Sequence, residues 1–138
     1  MEALGRILNV VAVADDVLVD MRAAGAQAVT FVCYLDAGDT FTLSENNGTT
    51  TQALATVTQF YKGSGVGGVW TKVTQATAST VVLSGASNND CAVFTVTGAE
   101  LSDGYYKLKV ASTGAGTVVA IAHDLQTQRG PANLPALV

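Results

Sequence analysis

Charge is what this sequence has least of. Asp, Glu, Lys and Arg supply 13% of its 138 residues, about half the share in a typical soluble domain. Eleven are acidic and seven basic, a net charge of −4. Nucleic-acid affinity rests on phosphate contacts and needs basic density, so direct nucleic-acid binding is not expected. Long apolar runs are missing too. None reaches the roughly 18 residues of a membrane-spanning helix, and no membrane partner is expected. Residues 1–19 have the apolar look of an export signal, but Asp15 and Asp16 interrupt them and Arg6 is their only basic residue. They read as part of the fold. Histidine and cysteine are scarce. His123 stands alone, and Cys33 and Cys91 lack metal-ligand spacing, so no metal or other cofactor is expected. Both cysteines read as small buried apolar residues. A chain of this length does not need a disulfide between them.

What is present is Ala (21), Val (19) and Thr (17), which together fill 57 positions. Branched apolar residues at low charge argue against disorder. They also leave an unusually neutral surface, which suggests that part of it is covered in the working state by further copies or a larger partner. Short Val, Thr and aromatic runs alternate with Gly, Asn, Asp and Ser, the pattern of an antiparallel all-β protein. Residues 7–13 and 17–21 flank a turn at Asp15-Asp16. Residues 28–35 form a strong strand, with Val29, Phe31, Cys33 and Leu35 on one face. A turn at 36–39 and alternation at Phe41 and Leu43 predict a hairpin. Residues 52–61 read as one strand. The glycine-rich stretch 62–68 reads as a hairpin loop leading to a strand at 69–74 that carries Trp70. Further strands are expected at 79–83, 91–96, 105–110 and 117–122, with at most one helical turn within 98–103. In 105–110, Tyr106, Leu108 and Val110 point inward and Tyr105, Lys107 and Lys109 outward. The count predicts a β-sandwich or small, jelly-roll-like barrel. Residues 1–125 form this single domain. Residues 126–138, with Pro131 and Pro135 and no periodicity, form an extended C-terminal arm. Its interaction residues are Arg129, Pro131, Leu134, Pro135, Leu137 and Val138, docking on the same domain or on a neighbour.

Chemistry is thin. The carboxylates fall mostly in turns. Asp36 and Asp39 read as turn formers rather than as a glycosidase pair, and Asp15-Asp16 lacks the oxygen density of a calcium loop. His123 and Asp124 are neighbours, but adjacent strand residues point to opposite faces, and no G-x-S-x-G motif supplies a nucleophile. The glycines at 63–68 do not end in a phosphate-binding G-K-[ST]. No enzyme is expected. Tyr61, Trp70 and Tyr105 are candidate surface or interface aromatics. Trp70 with Tyr61 and Phe60 would make a carbohydrate platform, against the default of core packing.

Several stretches carry a likeness. Gly5-Arg6-Ile7-Leu8, Val29-Thr30-Phe31-Val32-Cys33 with Leu35-Asp36-Ala37-Gly38-Asp39-Thr40, and Ala92-Val93-Phe94-Thr95-Val96 are the first. Leu101-Ser102-Asp103-Gly104-Tyr105, Ala111-Ser112-Thr113-Gly114-Ala115-Gly116-Thr117-Val118 and the ending His123-Asp124-Leu125, Gln128-Arg129 and Pro131-Ala132-Asn133-Leu134-Pro135-Ala136-Leu137-Val138 follow. Through them the chain resembles small structural proteins of tailed bacteriophages, several of which are capsid decoration or cement proteins. The resemblance implies a virion protein made in the host cytoplasm. It would bind the major capsid protein as a homotrimer on the outer capsid surface and stabilise the shell. Similar small β proteins form tail tubes, head–tail connectors and fibres, and these are the alternatives. A carbohydrate-binding module is the alternative of another class.

Overall fold

Period-two alternation builds most of this chain. The computed structural model describes residues 9–13, 16–35, 38–64, 68–85, 89–127, 133–134 and 136–138. Their strands are β1 (Asn9–Val13), β2 (Val19–Asp20), β3 (Ala26–Tyr34), β4 (Asp39–Asn46), β5 (Thr51–Ala53), β6 (Val57–Gly63), β7 (Thr71–Ala78), β8 (Thr80–Leu83), β9 (Cys91–Thr97), β10 (Lys107–Ser112) and β11 (Thr117–Leu125). A four-residue helix, α1 (Met21–Ala24), follows β2. It starts at Asp20, whose carboxylate accepts the Ala23 N–H, and stops at Gly25 in the left-handed region. A single 3-10 turn, Gly98–Glu100, follows β9. No helix among the described residues is long and apolar enough to cross a membrane.

The strands form two antiparallel sheets, and the core lies between them. Sheet 1 runs β1-β11-β3-β9-β6-β7. Sheet 2 runs β2-β10-β4-β5, with β8 beside β5 on the same edge of β4. Among the described residues each sheet has two open edges, so the architecture is a two-layer sandwich rather than a closed barrel. Val29, Phe31 and Cys33 of β3, with Phe94 and Val96 of β9, point inward from sheet 1. Phe41, Leu43, Val81, Leu83, Leu108 and Val110 meet them from sheet 2. The Phe31 and Phe94 rings lie 5.6 Å apart, centroid to centroid. The predicted register of β10 holds at Leu108 and Val110, which are buried, and Tyr106 just before it is half-buried.

Several connections differ from expectation, for one reason. Residues 28–35 and 40–44 do not form a hairpin: β3 pairs with β11 and β9, whereas β4 pairs with β10, β5 and β8. Both strands are apolar on one face, and a sandwich lets each bury that face by lying in opposite sheets. A short turn serves a change of sheet as well as a hairpin. Likewise β1 pairs with β11 and β2 with β10, so β1 and β2 lie in different sheets. Residues 52–61 are two strands, because Leu54 turns into the core between β5 and β6 as the chain crosses sheets. The hairpin across the glycine-rich loop, β6 with β7, is formed.

The C-terminal segment docks on its own domain. Leu137 is 1% exposed and belongs to the same apolar core, and its carbonyl accepts the Asp20 N–H at 2.8 Å. Leu134 is half-buried and Val138 exposed. Arg129, Pro131 and Pro135 lie outside the described residues.

Candidate functional site

The outward face of sheet 1 gathers the exposed aromatics. Its ladder pairs Val119 with Val32, Val32 with Val93, and Val93 with Tyr61. One step along, Thr117 pairs with Tyr34, Tyr34 with Cys91, and Cys91 with Gly63. These residues have the opposite parity to Phe31, Phe94 and Phe60, so they point away from the core. Trp70 lies over Gly63: a Cβ there would sit 3.1 Å from indole Cε3 and 3.2 Å from Cδ2. The missing side chain is what lets the indole lie against the strand. Tyr34, Tyr61 and Trp70 are 39%, 48% and 45% exposed, and Val69 beside Trp70 is 78% exposed. Phe60, expected in the same cluster, points the other way and is buried. Tyr105 is half-buried at the other end of the molecule. There, with Tyr106, Met21 and Arg22, it lines a depression of about 210 Å³ in which the Arg22 guanidinium stacks 3.6 Å above the Tyr106 ring.

Cys33 and Cys91 are free and buried. They lie on opposite faces of sheet 1, Cys33 in the core and Cys91 beneath the aromatic cluster. Burial pushes both thiols up. The Cys91 sulfur beside Tyr34, with some burial, raises the phenol in turn.

The other end of this face carries a chain of polar contacts that contradicts the sequence reading of His123 and Asp124. Asp124 adopts φ 53°, and no strand residue pairs with it, although His123 pairs with Ala28 and Leu125 with Ala26. This irregularity swings its carboxylate onto His123 Nδ1 at 3.0 Å. His123 Nε2 lies 2.9 Å from Thr30 Oγ1, which shares a 2.7 Å hydrogen bond with Thr95 Oγ1. Acid, imidazole and hydroxyl therefore do line up. Thr30, however, sits mid-strand in a β3 paired on both sides, so its neighbouring N–H groups serve the ladder rather than a developing oxyanion. The arrangement ties β11, β3 and β9 together.

Three carboxylates work as anchors, Asp39 and Glu45 buried and Glu100 exposed, a role the turn-former reading missed. Asp39 is 5% exposed. Its Oδ1 accepts N–H groups from Thr40 (2.7 Å), Thr113 (2.9 Å) and Gly114 (3.1 Å) and the Thr113 hydroxyl (2.7 Å), while Oδ2 accepts the Ser112 hydroxyl. Burial alone would raise its pKa, but these donors outweigh it and hold the group below the usual carboxylate range. Glu45, 1% exposed, accepts from Gln52 Nε2 at 2.6 Å and the Ser102 N–H at 2.8 Å, and is lowered despite burial for the same reason. Glu100 caps the 3-10 turn through the Thr97 N–H (2.7 Å) and also accepts the Thr56 hydroxyl (2.7 Å); it too is lowered against its burial. The Ser112-Thr113-Gly114 run of small donors was the available signal for Asp39, but nothing in the sequence linked it to a residue 73 positions earlier.

No family model, curated protein or solved structure matches this chain. The candidate site therefore rests on geometry. Among the described residues no group of three His, Cys, Asp or Glu side chains is placed to hold a metal ion. The outward face of sheet 2 carries small, mostly uncharged side chains at its β8 side. Thr80 pairs with Thr42 and Thr42 with Ala111, while Thr40 pairs with Val82, which is 62% exposed. Its charges sit toward the β2 edge as pairs, Lys107 with Asp20 at 3.9 Å and Lys109 with Asp16.

Proposed function

We propose that this chain is a structural protein of a tailed-phage virion, a decoration protein that binds the outside of the major capsid shell as a homotrimer. The observation that carries the reading is the outward face of sheet 2. Thr40, Thr42, Thr80, Ala111 and Val82 form a surface of small side chains whose nearby lysines are already paired. Such a face approaches a broad protein surface closely without stranding charge, and depletion of charge marks the centre of protein interfaces. The internal anchors at Asp39 and Glu45 suit a rigid clamp.

Co-pelleting with undecorated capsid shells tests this. The wild-type chain should pellet with shells, and Thr42→Arg and Val82→Glu should release it with the fold unchanged. A wild-type chain that stays in the supernatant overturns the reading. Sedimentation should give a trimer. A six-membered ring would instead favour the tail-tube alternative, which the β6–β7 hairpin supports.

A further inference from the structure

We propose that the outward face of sheet 1 is a binding platform for a neutral, β-linked hexose polysaccharide, with Tyr34, Tyr61 and Trp70 as its stacking rings. This goes beyond the shell-binding reading and does not depend on it. The two outward faces of a sandwich look in opposite directions, so both can be occupied at once.

Placement comes first. Tyr34 pairs with Cys91 and Cys91 with Gly63, under Trp70. Tyr34 and the indole are thus separated by two strand spacings, about 10 Å, and Tyr61 stands about 7 Å further along β6. That span suits two to three linked sugar rings lying across the strands. Rigidity comes second. The indole rests on the backbone at Gly63, so one ring face is spent on the protein and the other is turned to solvent before any ligand arrives. Preorganisation of this kind lowers the ordering cost of binding. Chemistry comes third. A pyranose with equatorial hydroxyls presents flat C–H faces, which stack on aromatic rings, and a rim of hydroxyls. Around the rings the sheet offers Thr117 and the exposed Lys72, which pairs with Tyr61 from β7, as hydrogen-bonding groups, and half-buried Val32, Val93 and Val119 as its floor. The two ladder rows that carry the rings hold one cation, Lys72, and no carboxylate, so sugar hydroxyls meet a donor there rather than an acidic group. Tyr and Trp are enriched at protein interfaces as well, so self-association is measured beside glycan binding.

The test uses the full chain in native affinity gels cast with hydroxyethylcellulose, with calorimetry on cellohexaose and with dextran, an α-linked polymer, as control. Hydroxyethylcellulose should retard the wild-type chain and dextran should not. Trp70→Ala should weaken binding about tenfold or more, and Tyr34→Ala and Tyr61→Ala each by a smaller factor. Tyr61→Phe should keep most of it, because stacking needs the ring and not the hydroxyl. Gly63→Val should lift the indole off the strand and weaken binding like Trp70→Ala. All these variants should stay folded, with modest falls in the denaturant midpoint for the Ala variants and Gly63→Val because each ring is about half covered by the protein. No retardation of the wild-type chain, or equal binding by Trp70→Ala, overturns the proposal. So does self-association of the wild-type chain that Trp70→Ala abolishes without any glycan effect, which would assign the face to a second copy instead. Shell co-pelleting should be untouched by Trp70→Ala, so failure here is separable from failure of the shell-binding reading.

Discussion

At the scale of single residues the buried carboxylates carry the sharpest consequence. Asp39 joins the start of β4 to the turn between β10 and β11, and Gly116 closes over it: a Cβ there would lie 2.6 Å from Asp39 Oδ2 and 2.8 Å from the Phe41 ring. Asp39→Ala should cost about 1.5–3 kcal/mol, the worth of a hydrogen bond to a charged acceptor, because backbone donors would remain buried and unpaired. Asp39→Asn keeps one acceptor oxygen and should fall between. The folded pKa of Asp39, Glu45 and Glu100 lies below the unfolded value. Their contribution is therefore fully present above about pH 4–5, where the unfolded carboxylates are already ionised, and is lost as pH falls through the depressed folded values. Urea midpoints measured from pH 7 to pH 3 should be level at first and then drop, and the drop should be shallower in Asp39→Asn. An unchanged slope would remove Asp39 from the acid response. None of this was legible beforehand. The sequence marks Asp39 as a turn residue, and only the fold brings Ser112, Thr113 and Gly114 around it. Asp124 was misread for the opposite reason: strand parity was assumed at a residue that breaks it.

At the scale of elements, parity was readable and pairing was not. Alternation in β3, β9 and β10 reports which side chains face the core, since a strand with one buried face must repeat every two residues. It says nothing about which sheet the strand joins. Leu108 is fully buried near the start of β10, between β2 and β4. Leu108→Ala should cost about 2–5 kcal/mol through the cavity it leaves, and Lys109→Ala on the opposite face much less. A denaturant midpoint that barely moves for Leu108→Ala would mean the register is displaced by one residue. The same parity bears on the cysteines. Cys33 belongs to the inward row of β3 and Cys91 to the outward row of β9, so the sheet itself separates their side chains. Thiol titration without reductant should find two free groups in the unfolded chain and slow reaction in the folded one, because burial raises both thiols and the thiolate is the reactive form. A mixed result, with one group or none after unfolding, would show that oxidation captures a non-native geometry.

At the scale of the whole molecule, the described strands change sheets at eight of their ten connections, and among them only β4–β5 and β6–β7 are simple hairpins. The sequence announces the strands, but this weave arises from long-range pairing, with β1 on β11 as its extreme. The same weave decides what the C-terminal segment is. Composition alone made residues 126–138 an arm, since two prolines and no alternation exclude a strand. Leu137 nevertheless enters the core, and its carbonyl takes the Asp20 N–H where β2 runs into α1. Leu137 thus covers the end of sheet 2 at its shortest strand, a two-residue β2 that among the described residues pairs only with β10. Leu137→Ala should then cost about 2–5 kcal/mol, as for any large core side chain cut to Ala. Val138→Ala, on an exposed side chain, should cost within about 0.5 kcal/mol. Removing residues 133–138 should cost at least as much as Leu137→Ala and also free the Asp20 N–H, loosening β2 and α1 first. Urea unfolding gives the energies, and amide exchange at Asp20 and Met21 locates the loosening. If the truncated chain unfolds at the wild-type midpoint and keeps slow exchange at Asp20, the segment contributes nothing to the domain and its apolar residues are available to a neighbour. If stability falls as stated, shell binding by truncated chains must be compared at equal folded fraction, because a loss of pelleting could otherwise reflect unfolding alone.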